Sequence, residues 1–192
     1  MATGPTAAYA YADDGNYSVT LIVTDGDGGS DTATVVSVIA NLAPFFTSLN
    51  PSTAGDEGSS LPFAVAVSDA GPADLPDLVV TWDWGDGSAT ETGTSAFHAF
   101  PDDDSYFVTA TVDDQDGGTS STVFEVVTAN VAPIITSNAP INAVQDALYS
   151  YQPIVLDPGT EVFAWTMSPS APAGMTMDPS TGLIEWTPTA AE

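Results

Sequence analysis

The sequence predicts an all-β protein assembled from small antiparallel sandwiches in tandem, with the terminal ones incomplete. Three observations lead there. Apolar and polar residues alternate with a period of two in several segments, and clusters of Asp, Gly, Pro and Ser break the chain at short intervals. In addition, one 36-residue stretch recurs 89 positions later.

Taken in order, Tyr17, Val19, Leu21 and Val23 alternate with Ser18 and Thr20, and Phe63, Val65 and Val67 alternate with Ala64, Ala66 and Ser68. Tyr106, Val108, Ala110 and Val112 do the same around Thr109 and Thr111. Such a period puts successive side chains on opposite faces and predicts half-buried strands. Between them lie DGDGGS, DAGPADLPD, GDGS, PDDDS, DDQDGGTS and DPSTG, whose residues favour turns. No segment carries apolar residues at helical spacing for three turns, so short strands with frequent turns read as β-sandwiches.

In TWDWGDGS (81–88) the same alternation sets Trp82 and Trp84 on one face and Thr81 and Asp83 on the other. Two large aromatics on one face of a central strand predict core packing rather than a carbohydrate-binding platform. The following Gly85, Asp86, Gly87 and Ser88 predict a tight turn, with glycine supplying positive φ.

The chain has 192 residues, no Lys or Arg, one His and 26 acidic residues, a formal charge of −26. Twenty of the acids are Asp and six Glu, a balance that suits turns and multidentate cation sites over helices. Repulsion among the carboxylates is relieved only by salt, bound cations or protons. Nothing neutralises phosphate, which excludes nucleic acid and anionic membrane surfaces as partners. Cysteine is absent, so there is no disulfide or thiolate chemistry, and no apolar run reaches the length of a membrane span. At 43% hydrophobic residues the chain can bury packed cores.

Residues 9–44 align without gaps to 98–133, with 16 identities that include Tyr17/Tyr106, Asp25/Asp114, Asp27/Asp116, Asn41/Asn130 and Pro44/Pro133. The period fits one small sandwich and sets expected boundaries at 1–43, 44–131 and 132–192, joined stiffly without Gly/Ser linkers.

Residues 44–131 resemble a PKD (polycystic kidney disease) domain, an immunoglobulin-like module. The resemblance rests on WDWGDGS (82–88), the run His98 to Phe100, Asp104 with Tyr106 and Val108, and VDDQDGG (112–118). The family usually has Phe at the place of Trp84 and Gly at that of Asp104. Residues 1–43 are similar to the C-terminal half of the same domain. Residues 132–192, with YSYQPIVLDPGTE and PAGMTMDPSTGLIEWTPT, resemble the putative-Ig, dystroglycan-type cadherin-like module, truncated at its C-terminal end. The implied architecture is a series of tandem immunoglobulin-like β-sandwich modules. Tyr17 and Tyr106 resemble the tyrosine-corner position, and His98 a structural histidine.

In some PKD domains carboxylates from these regions converge on Ca²⁺. The resemblance implies that Asp69, Asp83 and Asp114 serve as ligands, with Asp116 and Asp74 as helpers. Asp25 and Asp27 match Asp114 and Asp116 in the first copy, and Asp157 heads a similar loop in the third module. A hard cation with six to eight oxygen ligands suits this chemistry. The loops are not EF-hands, and plain solvated turns are the alternative at each position. Asp102, Asp103 and Asp104 read as a solvated loop. With one His and no Cys a zinc site has no basis, and neither a nucleophile elbow nor a cleft for paired carboxylates is indicated.

The expectation is a non-catalytic extracellular or cell-surface segment, a Ca²⁺-stiffened spacer or stalk whose partners are neighbouring domains of the same chain. Two alternatives stay open. One is an accessory module of an extracellular hydrolase that binds cell-surface polysaccharide or protein. The other is a subunit of a fibre formed by head-to-tail self-association, in which strands complement one another between chains. Adaptation to high salt is a further account of the acidity.

Overall fold

A computed structural model describes residues 6–189. It is all-β, as the alternating pattern predicts. The chain forms two compact units. Among the described residues the first comprises 6–54, 60–98 and 105–127, and the second 55–59, 99–104 and 128–189.

Unit 1 opens with a hairpin of β1 (Gly15–Thr24) and β2 (Ser30–Ile39), paired antiparallel from Gly15↔Ile39 to Thr24↔Ser30. The turn is closed by Asp25 N–H on the Gly29 carbonyl at 3.0 Å. Next come β3 (Phe45–Pro51), β4 (Ala54–Asp56, at the border with unit 2) and β5 (Leu61–Ser68). A 3₁₀ turn at Leu75–Asp77 leads into β6 (Val79–Asp83), β7 (Glu91–Thr92), β8 (Ser95–His98), β9 (Ser105–Asp113) and β10 (Thr119–Ala129). They form a three-stranded sheet, β3-β5-β8, and a five-stranded sheet, β4-β10-β9-β6-β7.

The inward positions of these strands make the core: Phe63, Val80, Trp82, Val108, Ala110, Val112 and Val126 are each almost wholly buried. Trp82 and Trp84 are buried as the alternation predicts, their rings stacked at 5.8 Å, and Phe63 from the opposite sheet packs on both at 5.9 and 5.2 Å. Trp82 Nε1 donates to the Gly93 carbonyl at 2.8 Å, so its one polar atom is satisfied. His98 stacks on Trp84 at 4.3 Å and meets Asp86 Oδ2 at 2.7 Å through Nε2. That fixes the turn where Gly85 (φ 74) and Gly87 (φ 82) reverse the chain. A Cβ at Gly85 would press on the Phe107 carbonyl oxygen at 2.5 Å, so glycine is needed there twice over.

The first hairpin departs from expectation. The period of two in β1 predicts a half-buried strand, yet Leu21, Val23, Val36 and Val38 are all exposed. β1 and β2 pair only with each other, so neither apolar face meets a facing sheet among the described residues.

Unit 2 carries β11 (Ile134–Ile135), β12 (Tyr149–Tyr151), β13 (Val155–Leu156), β14 (Thr176–Met177) and β15 (Ile184–Trp186). They form a pair, β11-β13, and a small sheet, β12-β15-β14. Gln152 Nε2 donates to the Thr181 carbonyl at 2.7 Å, and Tyr151 shares a hydrogen bond with the Ser137 hydroxyl at 2.8 Å.

Candidate metal centre

The site in unit 1 is built on the loop after β9. Asp114 is nearly fully buried, and its Oδ1 accepts the backbone N–H groups of Asp116 (2.9 Å) and Gly118 (2.8 Å). The Asp25 loop repeats this geometry: Oδ1 accepts Asp27 N–H at 3.0 Å and Gly29 N–H at 2.7 Å. Asp114 Oδ2 accepts Asn41 Nδ2 at 2.9 Å, and Asn41 also reaches the Asp116 carbonyl at 3.3 Å. The Asn41 amide first, and then the backbone donors, hold the Asp114 carboxyl below its ordinary range against the opposing effect of burial.

This loop meets residues of the first copy. Carboxylate oxygens of Asp13, Asp14 and Asp116 lie within 4.8 Å of one another. The Tyr17 hydroxyl lies 3.0 Å from the Asp13 and Asp14 carbonyls and donates to them, which pins the acidic turn to β1 as a tyrosine corner would. A hydrogen bond with Asp116 is the largest influence on Asp14, followed by burial and the charges of Asp116, Asp13 and Asp74; all raise its pKa. Crowded carboxylates resist carrying full negative charge together, which favours a cation or a proton between them.

The loop after β5 supplies the remaining charge. Asp69 is 8% exposed; its Oδ1 accepts Gly71 N–H at 2.8 Å, while Oδ2 has no partner. Burial first, then the charges of Asp13, Asp69, Asp114 and Asp116, raise the pKa of Asp74. A Cβ at Gly71 would collide with Asp74 Oδ2, so glycine lets that carboxylate fold back over its own loop. The Ala73 N–H bonds to the Ala12 carbonyl at 3.2 Å, tying this loop to the Asp13–Asp14 turn. Tyr11, Asp13, Asp14, Asn41, Gly71 and Asp74 line a cavity of about 110 Å³ there.

The structure therefore brings Asp114, Asp116, Asp69 and Asp74 to one region of unit 1 but leaves Asp83 out. In the ladder Val79 pairs with Asp113, whereas Asp83 pairs with Thr109. Four residues of strand, about 13 Å at ~3.3 Å each, thus separate Asp83 from that end. Its Oδ1 instead accepts Gly85 N–H at 3.1 Å and shapes the turn. Asp25 and Asp27 stay in their own exposed hairpin turn, and Asp157 lies in unit 2, bonded to Gly159 N–H at 3.2 Å. Asp13, Asp14 and Asn41 were not among the expected ligands. The repeat carries a signal for them, since they align with Asp102, Asp103 and Asn130.

The donors fit a hard cation. All are oxygens, and those of Asp13, Asp14 and Asp116 lie close enough together to reach one ion with ligands at roughly 2.3–2.6 Å. The unpartnered, buried Asp69 Oδ2 is a further oxygen lacking a positive neighbour.

Family comparison matches the PKD domain to residues 1–39 and 41–129, and the Putative Ig domain to residues 132–192. A comparison with curated proteins gives no match. Domains of these two kinds are typically non-catalytic and typical of extracellular proteins. No helix among the described residues is long and apolar enough to cross a membrane. With most of its length matched by one family, and its buried tryptophans and Asp-Gly loops arranged accordingly, the chain belongs to the PKD domain family and continues into a Putative Ig domain.

Proposed function

We propose that the chain is a structural segment of an extracellular or surface protein, a spacer whose modules calcium stiffens. The observation that carries this reading is the meeting of Asp13 and Asp14 with Asp116, carboxylates of two successive repeats that no Lys or Arg in the sequence can neutralise. A divalent ion there offsets the crowded charge of Asp13, Asp14 and Asp116 and ties the Asp13–Asp14 turn to the Asp114–Gly118 loop. Stiffness follows because residues of both copies then hold one ion. Trp82 and Trp84 are buried and offer no platform to a polysaccharide.

The test is thermal melting at fixed ionic strength. Sub-millimolar CaCl₂ is expected to raise the midpoint over chelator-treated protein, and Asp14→Asn with Asp116→Asn to shrink that rise. A midpoint that responds only to molar NaCl would leave general screening as the whole role of the acidity.

A second reading rests on the exposed apolar residues Leu21, Val36 and Val38 of the β1–β2 hairpin, since a lone two-stranded ribbon is marginal in water. In it the hairpin completes a module of another copy, giving head-to-tail fibres. Light scattering over a concentration series tests this, and a strictly monomeric folded chain rejects it.

A further inference from the structure

Unit 2 contains a second acidic group that plays no part in the site above. Glu57 lies in the bend after β4, Asp102 and Asp103 in the turn before β9, and Glu161 in the loop after β13. A carboxylate oxygen of each lies within 4.8 Å of those of the other three.

Clustered surface acids alone mean little, but Glu57 is not at the surface. It is 1% exposed, its Oε1 accepts Val131 N–H at 2.7 Å, and its Oε2 has no hydrogen-bond partner. A buried charged oxygen without a partner is costly, and the sequence holds no Lys or Arg to pair with it.

The backbone presses this arrangement together. Glu57 N–H donates to the Ala129 carbonyl at 3.0 Å and Gly58 N–H to the Phe100 carbonyl at 2.8 Å. Gly58 has φ +66, and a Cβ there would stand 2.5 Å from Pro158 Cβ, so glycine lets the loop bearing Glu161 close against the bend. Asp102 Oδ2 accepts a short hydrogen bond from the Thr160 hydroxyl, and that bond is the main influence holding the Asp102 carboxyl below its ordinary range. The expectation of a plain solvated loop at 102–104 therefore fails for Asp102, which is half-buried and bonded to a residue far along the chain. For Glu161 a bond from its own backbone favours the charged form, yet burial and the charges of Glu57, Asp157 and Asp102 prevail and push it up.

The repeat adds a second line of argument. Asp102 and Asp103 stand 89 residues after Asp13 and Asp14, at the same positions of the repeat. Each Asp-Asp pair meets carboxylates from later in the chain, Asp116 in one case and Glu161 in the other.

We propose that Glu57, Asp102, Asp103 and Glu161 form a second calcium site, which locks the bend after β4, the turn at 99–104 and the loop at 157–161 to one another. All donors are oxygens within reach of one ion, and a carboxylate cage of this kind suits Ca²⁺, whereas Mg²⁺ demands near-ideal octahedral geometry and keeps several of its waters. The proposal does not rest on the site in unit 1.

Calorimetric titration of the full chain with CaCl₂ tests it, with MgCl₂ as the comparison ion. Glu57→Gln keeps an acceptor for Val131 N–H and is expected to remove one bound calcium per chain. The exposed-ligand variants Asp103→Asn and Glu161→Gln are expected to weaken one class of site by about tenfold or more, and they carry the test should Glu57→Gln fail to fold. Unchanged stoichiometry and affinity in the folded variants would overturn the proposal, as would equal binding of Mg²⁺. Loss of a calcium in Asp14→Asn/Asp116→Asn but not in Glu57→Gln would leave the unit 1 site standing alone. The reverse would leave only this one.

Discussion

Replacing Glu57 by Gln should change stability in opposite directions with and without calcium. The substitution preserves shape and the bond from Val131 N–H, since the amide carbonyl can stand where Oε1 does. It replaces the unpartnered, buried Oε2 with an NH₂ group facing the carboxylates of Asp102, Asp103 and Glu161. In chelator the wild type bears the cost of a buried polar atom left unsatisfied, about 1–3 kcal/mol and more for a charged group. Glu57→Gln relieves that cost and should be more stable by a similar amount. At roughly 4–8 °C per kcal/mol for a small domain, the midpoint should rise by on the order of 5–20 °C. With calcium at a hundred times its dissociation constant the wild type gains about 2.7 kcal/mol, a gain the variant lacks, so the order should invert or the gap close. Differential scanning calorimetry in chelator and in CaCl₂, at matched ionic strength, measures both. A variant that is less stable by the same margin in each buffer would refute the reasoning, because Glu57 would then act only through packing and its bond to Val131.

Other outcomes follow from the same geometry. Trp82→Ala removes a fully buried ring that touches Phe63, Trp84 and Phe124, and should destabilise by about 3–5 kcal/mol in denaturant melts, with or without calcium. In calcium-free buffer, stability should fall as pH rises from the ordinary carboxyl value of 3.8 through the raised values of Asp14 and Asp74. The folded state binds the extra protons in that window, which gives the slope its negative sign. Asp14→Asn should flatten this slope in melts between pH 4 and neutrality, and saturating calcium should suppress it. An unchanged slope in the variant would place the effect elsewhere.

The strands, the burial of Trp82 and Trp84 and the repeat were legible in the sequence because they depend on alternation and on local turn chemistry. Asp83 shows where that legibility ends. Alternation placed it on the outer face of β6, but only the register with β9 reveals that it lies at the end away from Asp114. Glu57 is harder still, since no local pattern marks it as buried. It is buried where residues distant in the chain bond to it, Ala129 through its carbonyl and Val131 through its N–H. Asp13 and Asp14 could have been found by asking which residues the repeat duplicates, for the pair recurs as Asp102 and Asp103. The exposure of Leu21 was invisible to periodicity, which reports a strand's two faces and not whether a second sheet covers either.

The central claim is that cations from the medium occupy positions between carboxylates that the chain itself cannot neutralise. Anomalous diffraction from crystals grown in sub-millimolar CaCl₂ with excess MgCl₂ tests it most directly. The account predicts peaks among Asp13, Asp14 and Asp116 and among Glu57, Asp102, Asp103 and Glu161, with oxygens at calcium distances. Carboxylates in both places bonded to water or to each other, with no anomalous scatterer between them, would contradict it.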